Sequence, residues 1–302
     1  MNILGSSLVD DKTPLVSILI PTRGRVQKLL HAVDSCWSLA CEMKLLEFVF
    51  KVDDDDQETL AIVEKLNAIV PYKCLVTPRG RGYGDLHEWI SMMAKLSSGV
   101  WILLFSDDAK MTTQGWDQQL ALHPMFEDGI NLLIPKVVQR SPTNEFLFLS
   151  RTVFDVLGWM GPSPHVDTWL ATIMMMLDRA FYSSSIIIDH PNEDRDLTAV
   201  DREKVTAQSS IALRDTDMVR LKVRDAVSLL DYMDRVSTAR VSTAQVPASH
   251  KILMSMMTGS NCIEKGSKES KASRGRTKVN HPPVSTRRKA RTRIARPIGE
   301  DE

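Results

Sequence analysis

The chain is poor in cysteine, in aromatic residues and in net charge, and each shortage excludes something. Its four cysteines, Cys36, Cys41, Cys74 and Cys262, form no Cys-x-x-Cys pair and have no His-rich partner motif, which argues against a zinc site. Cys36 and Cys74 fall in apolar stretches and read as buried thiols, so a reducing, cytoplasmic compartment is expected. The opening residues lack a basic segment followed by a long apolar core, so no secretory leader is expected. No apolar run approaches the roughly 20 residues that a membrane helix needs, so no transmembrane segment is expected. Phosphate-binding signatures are missing too. The segment Pro78-Arg79-Gly80-Arg81-Gly82-Tyr83-Gly84-Asp85 has neither the Gly-Lys-Ser/Thr of a Walker loop nor a dinucleotide fingerprint after a first strand.

The absence of net charge conceals an uneven distribution. Of 38 basic and 38 acidic residues, 12 basic but only 4 acidic ones lie from Lys265 onward, so the body carries an excess of acid and the tail an excess of base. Residues 265–298 hold almost no large apolar group and cannot bury enough surface to offset chain entropy, so a disordered tail is expected over 239–302. Residues 1–13 are polar and are expected to be flexible.

What is present is an alternation of patterns. Val16 to Ile20, Phe48 to Val52, Cys74 to Val76 and Val100 to Phe105 are short, nearly continuous apolar runs, as buried parallel strands are. Between them, Val26-Leu29-Leu30-Val33-Trp37, Leu60-Val63-Leu66-Val70 and Leu86-Trp89-Ile90-Met93 recur at helical spacing. This alternation predicts an α/β domain with a mostly parallel central sheet flanked by helices. Strand-like runs follow at 132–134, 146–149 and 186–188, with a polar turn at 141–144. Helices are predicted over 167–181 and 216–236, and the run Met174-Met175-Met176 reads as core packing.

Two of the apolar runs end in acid: Asp53-Asp54-Asp55-Asp56 after the second, Ser106-Asp107-Asp108 after the fourth. Clustered carboxylates are costly without a counter-charge or ligand, and in open α/β sheets the carboxyl edge is where ligands bind. The pairing points to a site for a nucleoside beside a site for a metal-bound diphosphate. Four adjacent aspartates cannot all enter one pocket. Asp53 and Asp55 alternate and can share a side, whereas Asp56 stands where a helix N-cap is expected. Three glycines and two arginines in 79–84 could present N–H groups and guanidinium to phosphate, or form a plain loop with Asp85 as an N-cap.

In order and spacing, Ser17-Ile18-Leu19-Ile20-Pro21-Thr22-Arg23-Gly24-Arg25, Val52-Asp53-Asp54-Asp55-Asp56 and Ser106-Asp107-Asp108 resemble family 2 glycosyltransferases with the GT-A fold. The resemblance covers about residues 15–200 and implies a transferase domain over 14–238. It implies transfer of a sugar from a nucleoside-diphosphate sugar, UDP-linked by preference, to an acceptor hydroxyl. Pro21, Thr22, Arg23, Arg25, Asp53, Asp55, Arg81, Asp85 and Asp107 would then contact the donor. Ser106-Asp107-Asp108 occupies the place of the family's DXD motif, with Ser106 where the first carboxylate or amide usually stands. Asp108, with His190 after the late strand, would hold Mn2+ or Mg2+. Asp167 would be the base of an inverting displacement, with an N-cap as its competing role. Arg195 and Asp196 could order a lid.

Two other readings stay open at this level. A sugar-phosphate nucleotidyltransferase would share the nucleotide chemistry, but Pro21-Thr22-Arg23-Gly24-Arg25 has a single glycine where such enzymes carry a Gly-rich loop. A nucleic-acid-binding protein, or a transferase recruited to a polyanion such as modified DNA, would use the 265–298 tail. That tail lacks interleaved aromatics, and hence a stacking platform.

Overall fold

The structure is a computed structural model that describes residues 2–5, 13–138, 145–190 and 215–242, with side chains of the last stretch described for 217–239. Its nine strands are β1 (Asn2–Gly5), β2 (Val16–Pro21), β3 (Leu46–Asp53), β4 (Tyr72–Thr77), β5 (Trp101–Leu104), β6 (Lys110–Met111), β7 (Leu132–Val137), β8 (Leu147–Ser150) and β9 (Ala180–Asp189). They form one sheet in the order β1-β4-β3-β2-β5-β8-β7-β9-β6. β4, β3, β2 and β5 are parallel neighbours, and β7 and β9 run the same way, so six of the nine strands share one direction. The mostly parallel sheet is as the apolar runs predict.

Among the described residues seven α-helices accompany it: α1 (Val26–Ser38), α2 (Gln57–Lys65), α3 (Leu86–Leu96), α4 (Trp116–Ala121), α5 (Arg151–Leu157), α6 (Val166–Met176) and α7 (Asp215–Ser242). Side-chain alternation along the strands divides the interior into two cores. Val16, Ile18 and Ile20 of β2 join Phe48 and Phe50 of β3 and the inner faces of α1, α2 and α4. Leu19 and Val49 face the other way, into a core closed by α3, α5, α6 and α7. A sheet covered on both faces explains the unbroken apolar strands. Cys36 and Cys74 are buried free thiols, as expected. Among the described residues, no helix is long and apolar enough to cross a membrane.

The structure differs from the sequence reading in three places. Residues Asn2–Gly5, expected to be flexible, form an edge strand whose backbone pairs antiparallel with β4. The helix expected to reach Phe181 stops at Met176. Asp178 takes the left-handed conformation (φ 53°), and the N–H groups of Asp178 and Arg179 close onto the carbonyls of Met175 (3.1 Å) and Met174 (2.8 Å). That is a Schellman stop with Asp in the place that glycine usually fills, and it lets β9 start at Ala180. In consequence only Met174 of the methionine run is core, while Met175 and Met176 are exposed.

β9 carries an irregularity that matters for the site. Pro135 pairs with Ser183 but the next residue, Lys136, pairs with Ile187, so three residues of β9 have no counterpart on β7. The Ser183 hydroxyl stabilises the bulge by accepting from the N–H groups of Ser185 (3.3 Å) and Ile186 (3.2 Å).

Candidate active site

The carboxyl ends of β2, β3, β5 and β9 converge on one cavity of about 410 Å³. Nine of the residues singled out from the sequence line it: Pro21, Thr22, Arg23, Arg25, Asp53, Asp107, Asp108, Asp167 and His190. β2 supplies Pro21 and, beyond its end, Thr22, whose N–H donates to the Lys51 carbonyl (3.0 Å) and so keeps the loop in register with β3. This is the edge and switch-point geometry of an open α/β sheet, with β2 flanked on one side by β3 and on the other by β5.

At one end lies Asp53, almost fully buried. Its carboxylate accepts from Arg23 (2.7 Å) and pairs with the ammonium of Lys51, two residues back on the same strand face. Lys51 is itself buried, and its Nζ sits 3.5 Å from the ring centroid of Trp89 on α3. Burial lowers the Lys51 pKa, while the hydrogen bond to Asp53 opposes that shift. Lys51 and Arg23, the latter shared with Asp55, thus hold the Asp53 carboxylate in place.

The second acidic cluster follows β5. Asp107 is buried and accepts from the Thr22 hydroxyl (2.8 Å) and Arg25 (3.3 Å). Burial pushes its carboxyl up to about 6, against the pull of Arg25. Asp108 accepts from Ser106, from Arg25 (3.2 Å) and from His190 Nε2 (3.1 Å). Burial alone would raise Asp108, but the hydrogen bonds from His190 and Ser106 more than offset it and leave the group below the usual carboxylate range. His190 lies between two carboxylates, with Glu145 at 3.1 Å from Nδ1, and these bonds raise its pKa to about 9. The Ser106 hydroxyl therefore spends its hydrogen bond on orienting Asp108.

Asp167 lies in the first turn of α6 and lines the same cavity. The N-cap of that helix is His165, so the capping role weighed for Asp167 is not the one it takes. Its carboxylate accepts from the Thr168 N–H (2.7 Å), and burial raises its pKa. Tyr83, another lining residue, is pushed up to about 12 by burial first and then by Asp167. A carboxylate with a raised pKa at a cavity wall can take a proton from a bound hydroxyl.

No family model matches the chain, and no curated protein matches it in sequence. Solved structures do. PcManGT, a mannosyltransferase from Pyrobaculum calidifontis solved with GDP-Man and Mn2+, is similar over 87% of this chain and 85% of its own, at 13% identity and a TM-score of 0.50. The chain has the GT-A fold. TarS 1-349 of S. aureus in complex with UDP matches over 67% of this chain and 68% of that one, at 14% identity and a TM-score of 0.48. For glucosyl-3-phosphoglycerate synthase from Mycobacterium tuberculosis, with Mn2+, UDP and phosphoglyceric acid, the shares are 67% and 80%, at 15% identity and a TM-score of 0.46.

Three of the expected donor contacts stand apart from the cavity of this GT-A chain. Asp55 points outward and is paired with Arg23, which holds its carboxyl below the usual range. Alternation brings it to the strand end, but the chain leaves β3 at Asp53 and the turn redirects the residues beyond it. Arg81 and Asp85 satisfy each other instead: the carboxylate accepts from the Arg81 N–H (2.8 Å) and Nε (2.6 Å) across a short 3-10 turn, Gly82–Asp85. Asp56 caps α2 as expected, accepting from the Thr59 N–H (3.2 Å), and it also holds the Gly24 N–H (2.7 Å). Arg195, Asp196 and the 265–298 tail lie outside the described residues.

Sequence reasoning missed Lys51, Trp89 and Glu145. Lys51 gives a signal, since a charged residue inside an otherwise apolar buried strand needs a partner, and Asp53 at i+2 shares its face. Trp89 reads as part of the apolar face of α3, with no sign of the cation it covers. Glu145 gives none, because it meets His190, 45 residues on, only through the pairing of β8, β7 and β9.

Proposed function

We propose that this chain is a metal-dependent glycosyltransferase that moves a sugar from a nucleoside diphosphate, UDP by the family resemblance, to an acceptor hydroxyl with inversion. The observation that carries the reading is the meeting of Asp53, the Asp107–Asp108–His190 group and Asp167 on one cavity at the carboxyl edge of a GT-A sheet. PcManGT, solved with GDP-Man and Mn2+, supports the donor class and the cation.

The residues fit a divalent cation by their chemistry. Asp108 offers carboxylate oxygen and His190, once a cation displaces the proton shared between them, an imidazole nitrogen 3.1 Å away, with Glu145 on the other ring nitrogen as is usual for a metal-bound histidine. Among the described residues, no group of three or more such side chains could by itself hold the ion. When bound, the ion would offset charge growing on the departing diphosphate. Asp53, fixed by Lys51 and Arg23, would accept hydrogen bonds from the nucleoside. Thr22 and Arg25 orient Asp107 and Asp108, and Arg25 would add a positive charge beside the phosphates. Asp167 would receive the acceptor proton as the oxygen attacks.

The test is nucleoside diphosphate release from a panel of UDP- and GDP-sugars, with Mn2+, Mg2+ or chelator. Metal-dependent release from sugar nucleotides, lost in Asp108→Ala, is expected. Release of pyrophosphate from nucleoside triphosphate would instead select the nucleotidyltransferase, and full activity of Asp108→Ala would remove the metal assignment.

A further inference from the structure

α7 has two faces. Leu221, Ala226, Leu229, Tyr232 and Met233 pack against the second core, and its carboxylate Asp225 is anchored below the helix. The opposite face carries Val219, Val223, Val227 and Leu230, which are 60%, 49%, 46% and 43% exposed. Their spacing of four, four and three residues makes a continuous stripe about three turns long, or roughly 16 Å. Four large apolar side chains in line on a solvated helix mark a surface built to be covered.

The charges beside the stripe say by what. At 100° per residue, Asp217, Arg220, Arg224, Asp231 and Arg235 all fall on one flank, and Asp234 falls at the stripe's end. They are arranged nearly symmetrically about Val227 with opposite signs. Asp217 mirrors Arg235, Arg220 mirrors Asp234, and Arg224 mirrors Asp231. Two helices packed antiparallel about a two-fold axis bring like flank onto like flank, whereas parallel packing would oppose this flank to the one that carries the single cation Lys222 and turns through Ala226 and Met233 into the core. The antiparallel arrangement also sets Val227 against Val227 and Val223 against Leu230.

We propose that the exposed face of α7 is the interface of a two-fold homodimer, in which α7 of one copy lies antiparallel on α7 of another. The apolar stripe supplies the contact energy, and the mirrored charges fix direction and partner, since exposed ion pairs add little affinity but strongly disfavour the wrong alignment. In such a dimer α7 would keep its packing on α5 and α6, with which it shares a core.

The test uses the full chain in sedimentation equilibrium or light scattering. The wild type should show twice the monomer mass, and Val223→Glu with Val227→Glu should show the monomer mass with an unchanged helical circular dichroism signal. Two charge variants make the test specific. A chain with Asp231→Lys and Asp234→Lys, and a second with Arg220→Glu and Arg224→Glu, should each fail to self-associate. Mixed, they should restore the double mass, because each positive half then meets a negative half. A wild type that remains monomeric, or a mixture that associates no better than either chain alone, overturns the proposal.

Discussion

Asp225 offers a sharp test of how the Asp167 side of the cavity is held. It is buried, and one carboxylate oxygen accepts from the indole N–H of both Trp159 (3.1 Å) and Trp169 (3.2 Å), while the other binds Arg224 (2.8 Å). Replacing it with alanine leaves the buried Trp169 N–H without an acceptor. Hydrogen bonds to a charged group contribute about 1.5–3 kcal/mol each. Arg224 is more than half exposed and can rehydrate, so its share is small. Against this, alanine removes the desolvation cost of the carboxylate, itself several kcal/mol. Pairing on one buried and one half-buried donor wins narrowly, and we expect Asp225→Ala to cost about 2–4 kcal/mol, a fall in Tm of roughly 5–15 °C. Urea and thermal unfolding of the full chain measure it. A double-mutant cycle with Trp169→Phe isolates the cause, since Asp225→Ala should be milder by about 1 kcal/mol or more once that donor is gone. Because Trp169 lies two residues after Asp167, turnover should fall as well. A cost below about 0.5 kcal/mol, or an additive cycle, would refute the reasoning.

Two further outcomes are expected. Burial raises the Asp167 pKa, so the folded chain binds that proton more tightly than the unfolded chain does. The stability this gives is full below the ordinary carboxylate pKa and lost as pH rises through the raised value. Asp167→Asn should therefore raise Tm at pH 7 and above, a gain that shrinks on acidification, while abolishing transfer; equal gains from pH 4 to 8 would separate the effect from ionisation. Lys51→Met should weaken binding of the donor's nucleoside diphosphate by about tenfold in calorimetry, about 1.4 kcal/mol, because Asp53 keeps only Arg23. Its effect on folding should be small, since relief of a buried ammonium offsets the lost pair; unchanged affinity would show that Asp53 needs no second cation.

The parallel half of the sheet was legible because strands buried on both faces must be mostly apolar, and β2 to β5 are, with Glu47 and Lys51 of β3 as the buried charges inside them. The acidic ends of β3 and β5 were legible for the opposite reason, as charge standing where burial forbids it without a partner. What escaped was set by local competition or by distance along the chain. Asp55 and Asp85 have the chemistry of donor contacts, yet each is taken by a nearby arginine, and nothing in residue type ranks an internal partner above an absent ligand. The end of α6 depended on Asp178 adopting a conformation that propensity assigns to glycine. Glu145 and Asp225 act through contacts 45 and 56 residues away, beyond the reach of any periodicity.

The bulge in β9 sets how far that strand reaches. Three unpaired residues take up roughly 10 Å of extended chain, at ~3.3 Å per residue. Were they paired with β7 in regular register, the same sequence would carry His190 that much farther along the strand, away from Asp108. The segment between Ser183 and Ile187 is thus a spacer whose length, more than its composition, is under constraint. Substitutions there should be tolerated where the gain or loss of a single residue is not, since one step along a strand both displaces a side chain and turns it to the other face.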